Sequence, residues 1–152
     1  MSYGINSILY ASDLTPRSPA VFHHAVGLAA RFNARLHAIT ISLPATSLPY
    51  MDFSAGQPAS GHLGDEALLR QRIQTFAEAN PDMPVAEVLA SVQAIKGDPS
   101  RCILDAAKNV LADMIVMGSR RHSALGELLL GSVAHKVMMG TDVPVVLVPI
   151  YR

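Results

Sequence analysis

The chain has 152 residues, 50% of them apolar and 16% charged, a composition that supports one well-buried core and excludes a disordered chain. Twelve Lys and Arg balance twelve Asp and Glu, so the cationic excess with which a nucleic-acid binder displaces phosphate counterions is missing. One cysteine, Cys102, rules out an intrachain disulfide and a cysteine metal cage. No leader and no membrane-length apolar run is visible, so a cytoplasmic location is expected.

Ser7 to Ser12 is a short apolar run closed by Asp13 and Thr15-Pro16, which reads as an interior parallel strand. Ser18-Pro19 supplies an N-cap and a first helical residue. Val21, Ala25, Leu28, Ala29 and Phe32 then recur at helical spacing, predicting a helix over 18–32. Asn33 stops it, and 36–42 reads as a second strand.

Residues 44–64 turn to Pro, Ser, Ala and Gly without periodicity, a long flexible connection that serves as a surface insertion or a lid. A helix is expected over 65–79, ended by Asn80-Pro81. The alternation of Val88, Ala90, Val92 and Ala94 predicts a third strand over 85–95. Asp98 caps, and Pro99 opens, a helix over 99–111 with Ile103, Ala106, Ala107, Val110 and Leu111 inward.

Residues 114–117 form the fourth strand, and a last helix runs to Gly140, which suits a left-handed C-terminal cap. Residues 143–150 form the fifth strand. Its prolines, Pro144 and Pro149, cannot donate ladder bonds and place it at a sheet edge. So apolar an edge calls for cover, and a second copy pairing through Val143–Ile150 would provide it.

Alternating strands and helices make one α/β domain over 1–152, a parallel sheet with helices on both faces. Ligands of such sheets sit beyond the carboxyl ends of the strands. Asp13, Ile41 and Gly118 all fall just past strand ends, on one rim. The segment 117–132, MGSRRHSALGELLLGS, begins at that rim and ends on Gly131-Ser132 at a helix start. It can offer bare backbone amides to an anion.

ILYASDLTPRS, LHAITIS, KGDPSRCILDAA, ADMIVMGSRR and LLLGSVAHKV…DVPVVLV together resemble the universal stress proteins over the whole chain. The resemblance implies a Rossmann-like fold of five parallel strands in the order 3-2-1-4-5 and a homodimer through the last strand. It also implies an adenine nucleotide, ATP with or without Mg²⁺, as cofactor and regulatory switch. Nucleotide-binding members carry Gly, two residues, Gly, nine residues, then Gly with Ser or Thr. Gly118 and Gly131-Ser132 match the ends of that pattern, and Arg121 stands in place of the middle glycine. By resemblance Ala11 and Asp13 meet the adenine and ribose end, and Ile41 lies against the base. Met117 and Gly118 line the ribose side, while Gly131, Ser132, Val133 and Ala134 receive the phosphates.

Arg121 leaves two readings open. A Cβ restricts the close approach a glycine allows, whereas a guanidinium can bind phosphate oxygens as a fork. The first makes the chain a non-enzymatic interaction module that works through its dimer surface and does not bind ATP. The second makes Arg121 a phosphate ligand. Asp13 likewise has two uses, as ligand or as cap of the following turn.

None of the six histidines has metal-ligand spacing, and no lysine precedes a Ser or Thr as in a GxxxxGK[ST] loop. No metal site, no catalytic residue and at most slow ATP hydrolysis are expected, with a signalling protein as a further partner. Cys102 and the methionines 114, 117, 138 and 139 read as core.

Overall fold

The computed structural model describes residues 3–15, 18–42, 62–120 and 131–150. β1 (Ser7–Ser12) is the middle strand, flanked in parallel by β2 (Arg35–Ser42) and β4 (Met114–Arg120). Outside them lie β3 (Leu89–Lys96) and β5 (Val145–Ile150), also parallel. The order is β3-β2-β1-β4-β5, so the expected topology holds and β5 is an edge strand.

Alternate residues of β1 are buried on opposite faces, which is why the run reads as continuously apolar. Ile8 and Tyr10 join a core with α1 (Ser18–Phe32), α2 (His62–Ala79) and α3 (Val85–Val88). Leu9 packs on the other face with α4 (Pro99–Asn109) and α5 (Ser132–Gly140). The start of β1 is fixed by Asp113, whose carboxylate accepts from the Asn6 and Ser7 amides at 2.8 and 3.1 Å. Among the described residues no helix is long and apolar enough to cross a membrane.

Several local expectations are corrected. The long connection is shorter than 44–64, because α2 begins at His62; residues 43–61 lie outside the described residues. Residues 85–88 form the helical turn α3 and not strand. Pro84 precedes it, Val88 N donates to Pro84 O at 3.3 Å, and Val85 and Val88 are buried three residues apart, a helical spacing that the following alternation hid.

α4 stops at Asn109, and Leu111 swings out in a left-handed conformation (φ 52°), 80% exposed. β4 runs on to Arg120 because β5 continues beside it, Arg120 opposite Ile150. β5 itself begins two residues after 143, with Pro144 just ahead of it. Gly140 does not take a left-handed cap. It closes α5 in the helix, Thr141 following in extended conformation, and its missing Cβ admits Leu104 of α4, whose Cδ1 would stand 2.8 Å from a Cβ there. Met114 and Met117 are core as expected, while Met138 and Met139 are exposed. Cys102 is only half-buried, its Sγ 3.7 Å from the Lys96 carbonyl.

Candidate functional site

Helices that connect parallel strands run back across the sheet, so their N-termini gather at the strands' carboxyl ends. Strand order reverses between β1 and β4, and a cavity of about 580 Å³ opens there. The starts of α1, α4 and α5 reach it through Ser18, Pro99 and Ser132. None of the three helices carries an acidic residue in its first turn, but α4 has the Asp98 carboxylate as its N-cap, whereas the positive dipole end of α5 has no such capping charge.

The α5 start is the barest. Its N-cap is Gly131 (φ −60°, ψ 155°), with no side-chain capping bond. The first helical bond runs from His135 N to Gly131 O at 3.0 Å, so the N–H groups of Ser132, Val133 and Ala134 have no intrahelical acceptor. α4 differs, because Asp98 accepts the Arg101 amide at 3.1 Å and the Ser100 hydroxyl at 2.9 Å. Those two donors hold the Asp98 carboxyl below its ordinary range.

After β1 the chain turns tightly. Leu14 is left-handed (φ 59°), a conformation that strains a residue with a Cβ, and its N–H donates to Ser12 Oγ at 3.1 Å. Asp13 Oδ1 accepts the Thr15 N–H at 3.0 Å and the Thr15 hydroxyl at 2.8 Å. Asp13 therefore caps the turn and, exposed on the cavity rim, can serve a ligand as well. Beneath it the Tyr10 hydroxyl donates to the Ser18 carbonyl at 3.3 Å. Burial pushes this phenol up to about 12, so it stays neutral at any working pH.

Nine of the ten residues singled out from sequence line this cavity: Ala11 and Asp13 at β1, Ile41 at β2, Met117 and Gly118 on β4, and Gly131, Ser132, Val133 and Ala134 at α5. The tenth, Arg121, lies outside the described residues. Tyr10, Ser12, Ser18, Val21, Pro99, Ile103 and Ile150 also line it and were not anticipated. Pro99 and Ile103 carried a usable signal, since they stand one turn apart at the start of a helix on the same rim. Ile150 carried none, because strand neighbours are not written in the chain.

Apolar side chains (Ile41, Pro99, Ile103, Met117) and the bare start of α5 line one and the same space. That arrangement suits a flat apolar group joined to an anion. Among the described residues no group of three His, Cys, Asp or Glu is placed to hold a metal ion.

Comparison with known proteins gives a consistent family. Residues 4–149 match the family model described as the universal stress protein family. The stress response protein NhaX of Bacillus subtilis is 35% identical over 75 residues, 49% of this chain and 45% of that one; the chain thus aligns with less than half of that relative's length. A Thermus aquaticus universal stress protein, from the 3′ region of the QAH/OAS sulfhydrylase, is 36% identical over 103 residues, 62% of this chain and 72% of that one. A solved universal stress protein in complex with cAMP superposes with a TM-score of 0.64 at 20% identity, covering 97% of this chain and 98% of that one.

Proposed function

The chain belongs to the universal stress protein family, and we propose that it binds ATP or a related adenine nucleotide, with or without Mg²⁺, as a regulatory switch in stress response. The observation that carries this reading is the convergence of Asp13, Gly118 and the uncapped α5 start on one cavity of about 580 Å³. That volume lies within the range of small-ligand and cofactor sites. The base fits the apolar wall of Ile41, Pro99, Ile103 and Met117, and Asp13 meets the ribose. The phosphates fall to the amides of Ser132, Val133 and Ala134, where a helix start favours negative charge. The related protein with bound cAMP supports the same ligand class.

Arg121 is assigned the phosphate contact that the missing glycine would have made through its backbone. Titration of the purified protein with ATP and Mg²⁺ in a calorimeter should show one site. Arg121→Gly should weaken ATP by about tenfold while changing adenosine little, the ratio expected for one charge-assisted contact. Tighter ATP binding in this variant would instead mark the arginine as an obstacle and favour the interaction module. No heat with the native chain, and no nucleotide released from it by acid, would remove the nucleotide reading.

No catalytic role is assigned. Among the described residues a Ser–His contact, His37 Nδ1 to Ser91 Oγ at 2.7 Å, joins β2 to β3, and neither residue lines the cavity.

Homodimer assembly is part of this reading: the apolar β5 edge supports it, with a second copy covering Val143–Ile150. Sedimentation should give twice the chain mass, and Pro149→Lys, which puts a charge at an exposed position of that edge, should shift it to monomer with unchanged circular dichroism. A native chain that sediments as a monomer at every concentration would sink the proposal.

A further inference from the structure

α2 presents Leu69, Ile73 and Phe76 to the core, and Arg72 stands in the same register, three residues after Leu69. An arginine on the inward side of a helix calls for a polar partner. Its guanidinium donates to the Thr15 carbonyl at 3.0 Å. With Tyr10, Ser12, Ser18 and Phe22 it lines a small space next to the main cavity.

Thr15 is the residue whose amide and hydroxyl both donate to Asp13 Oδ1. A continuous chain of hydrogen bonds thus runs from α2 through Thr15 to the carboxylate on the cavity rim. The turn that carries this carboxylate includes the left-handed Leu14, a conformation that persists only where the surroundings over-determine it. Ser12 Oγ and Thr15 hold it from within the loop. The Ser18 amide at the start of α1 donates to the same Thr15 carbonyl at 3.0 Å, and the Thr40 hydroxyl of β2 to the Ser12 carbonyl at 3.0 Å; Arg72 is the hold that α2 adds, through a charged donor. α2 is also tied to the far side of the cleft, where the Ser42 hydroxyl, next to Ile41, donates to the Asp65 carboxylate.

From this geometry we infer that Arg72 is a positioning residue for ligand recognition: it fixes the 12–15 turn so that Asp13 faces the cavity before a ligand arrives. Preorganisation of this kind spares the ligand the cost of ordering the turn. A carbonyl acceptor suits the task. A carboxylate partner would draw the guanidinium into an ion pair, whereas the carbonyl fixes backbone. The inference rests on the nucleotide reading for its ligand, but not for its central structural claim.

The test has two arms on the full chain. In the ligand-free protein, Arg72→Met should speed amide exchange at Thr15 by about tenfold relative to Val116 in the central sheet, the scale expected when one charge-assisted bond to a turn is lost. Arg72→Lys, which can still donate to the carbonyl, should restore most of the protection. In the ligand arm, Arg72→Met should weaken ATP about tenfold, and the double variant Asp13→Asn, Arg72→Met should bind no worse than Asp13→Asn alone.

Unchanged exchange at Thr15 overturns the inference. So do additive losses in the double variant, because a residue that acts only on general stability would not depend on Asp13. If the native chain binds no ATP, the functional reading fails, while the exchange arm still decides whether Arg72 holds the turn.

Discussion

Phe22→Ala is expected to lower the free energy of unfolding by about 3–5 kcal/mol, the usual range for deleting a buried ring. Phe22 is 3% exposed on α1, and its ring centroid lies 5.2 Å from that of Tyr10 on β1. On its other side it meets Phe76 of α2 edge-on at 4.9 Å. One side chain of α1 therefore joins the central strand to α2. Truncation leaves a cavity whose walls belong to three separate elements and cannot all close on it. For a chain of this size the loss corresponds to a fall in Tm on the order of 10 °C. Urea titration of the two proteins measures it. A loss under about 1 kcal/mol would show that the site relaxes in a way the tilted and edge-on contacts do not allow.

The same cluster bears on ligand binding. Tyr10 forms floor shared by the core and the cavity, and its hydroxyl anchors the start of α1 through Ser18. Loosening Phe22 lets the Tyr10 ring move, so the cavity should lose definition along with stability. Core and site are not separate layers in this fold; the central strand buries Tyr10, and the turn that follows it exposes Asp13.

Sequence punctuation explains which elements could be read to the residue. β1 over 7–12 and α1 over 18–32 were legible because Asp13, Pro16, Ser18-Pro19 and Asn33 mark their ends chemically. Where a boundary depends on tertiary pairing, local pattern misled. Gly118-Ser119 resembles a turn, yet both remain in β4 because β5 pairs with them, Gly118 opposite Val148 and Ser119 opposite Pro149. Val85 and Val88, three residues apart, fit a helical turn after Pro84, but the alternation that follows from Val88 hid it. Gly140 was misassigned because a glycine at a helix end has two uses, a left-handed cap or close packing, and only Leu104 shows which applies.

The cavity followed a similar rule. Residues at the strand ends could be gathered on one rim from topology, and Gly131-Ser132 at a helix start marked the anion end; family resemblance added the role of each residue. The unanticipated walls Val21 and Ile150 come from elements whose spatial neighbours are set only on folding.

Gly118→Leu and Gly131→Ala should separate what the two glycines of the cleft do. A Cβ on Gly118 would stand 2.3 Å from Ile150 Cδ1 and 3.2 Å from Val21 Cγ2. The Ile150 tip can turn away, but Val21 lies on α1 and is 2% exposed, so the larger side chain is driven into the cavity or against the helix. Overpacking of this kind costs about 1–3 kcal/mol, and the branch that avoids it fills space on the ribose side. Gly118→Leu should therefore lose stability and also weaken ATP by about a hundredfold or more, roughly 3 kcal/mol. Gly131 is the opposite case. Its φ of −60° suits any residue, and among the described residues a Cβ there would meet nothing within 4 Å. The fold has no need of a glycine at this position, so Gly131→Ala should leave stability within about 0.5 kcal/mol. If phosphates approach the α5 amides, the added methyl stands in their path, and ATP affinity should fall by about tenfold at unchanged Tm. Calorimetric titration beside thermal melts reads both quantities. Unchanged ATP affinity in Gly131→Ala would place the phosphates away from the α5 start. Wild-type stability and affinity in Gly118→Leu would mean that Ile150 and Val21 do not confine the cleft.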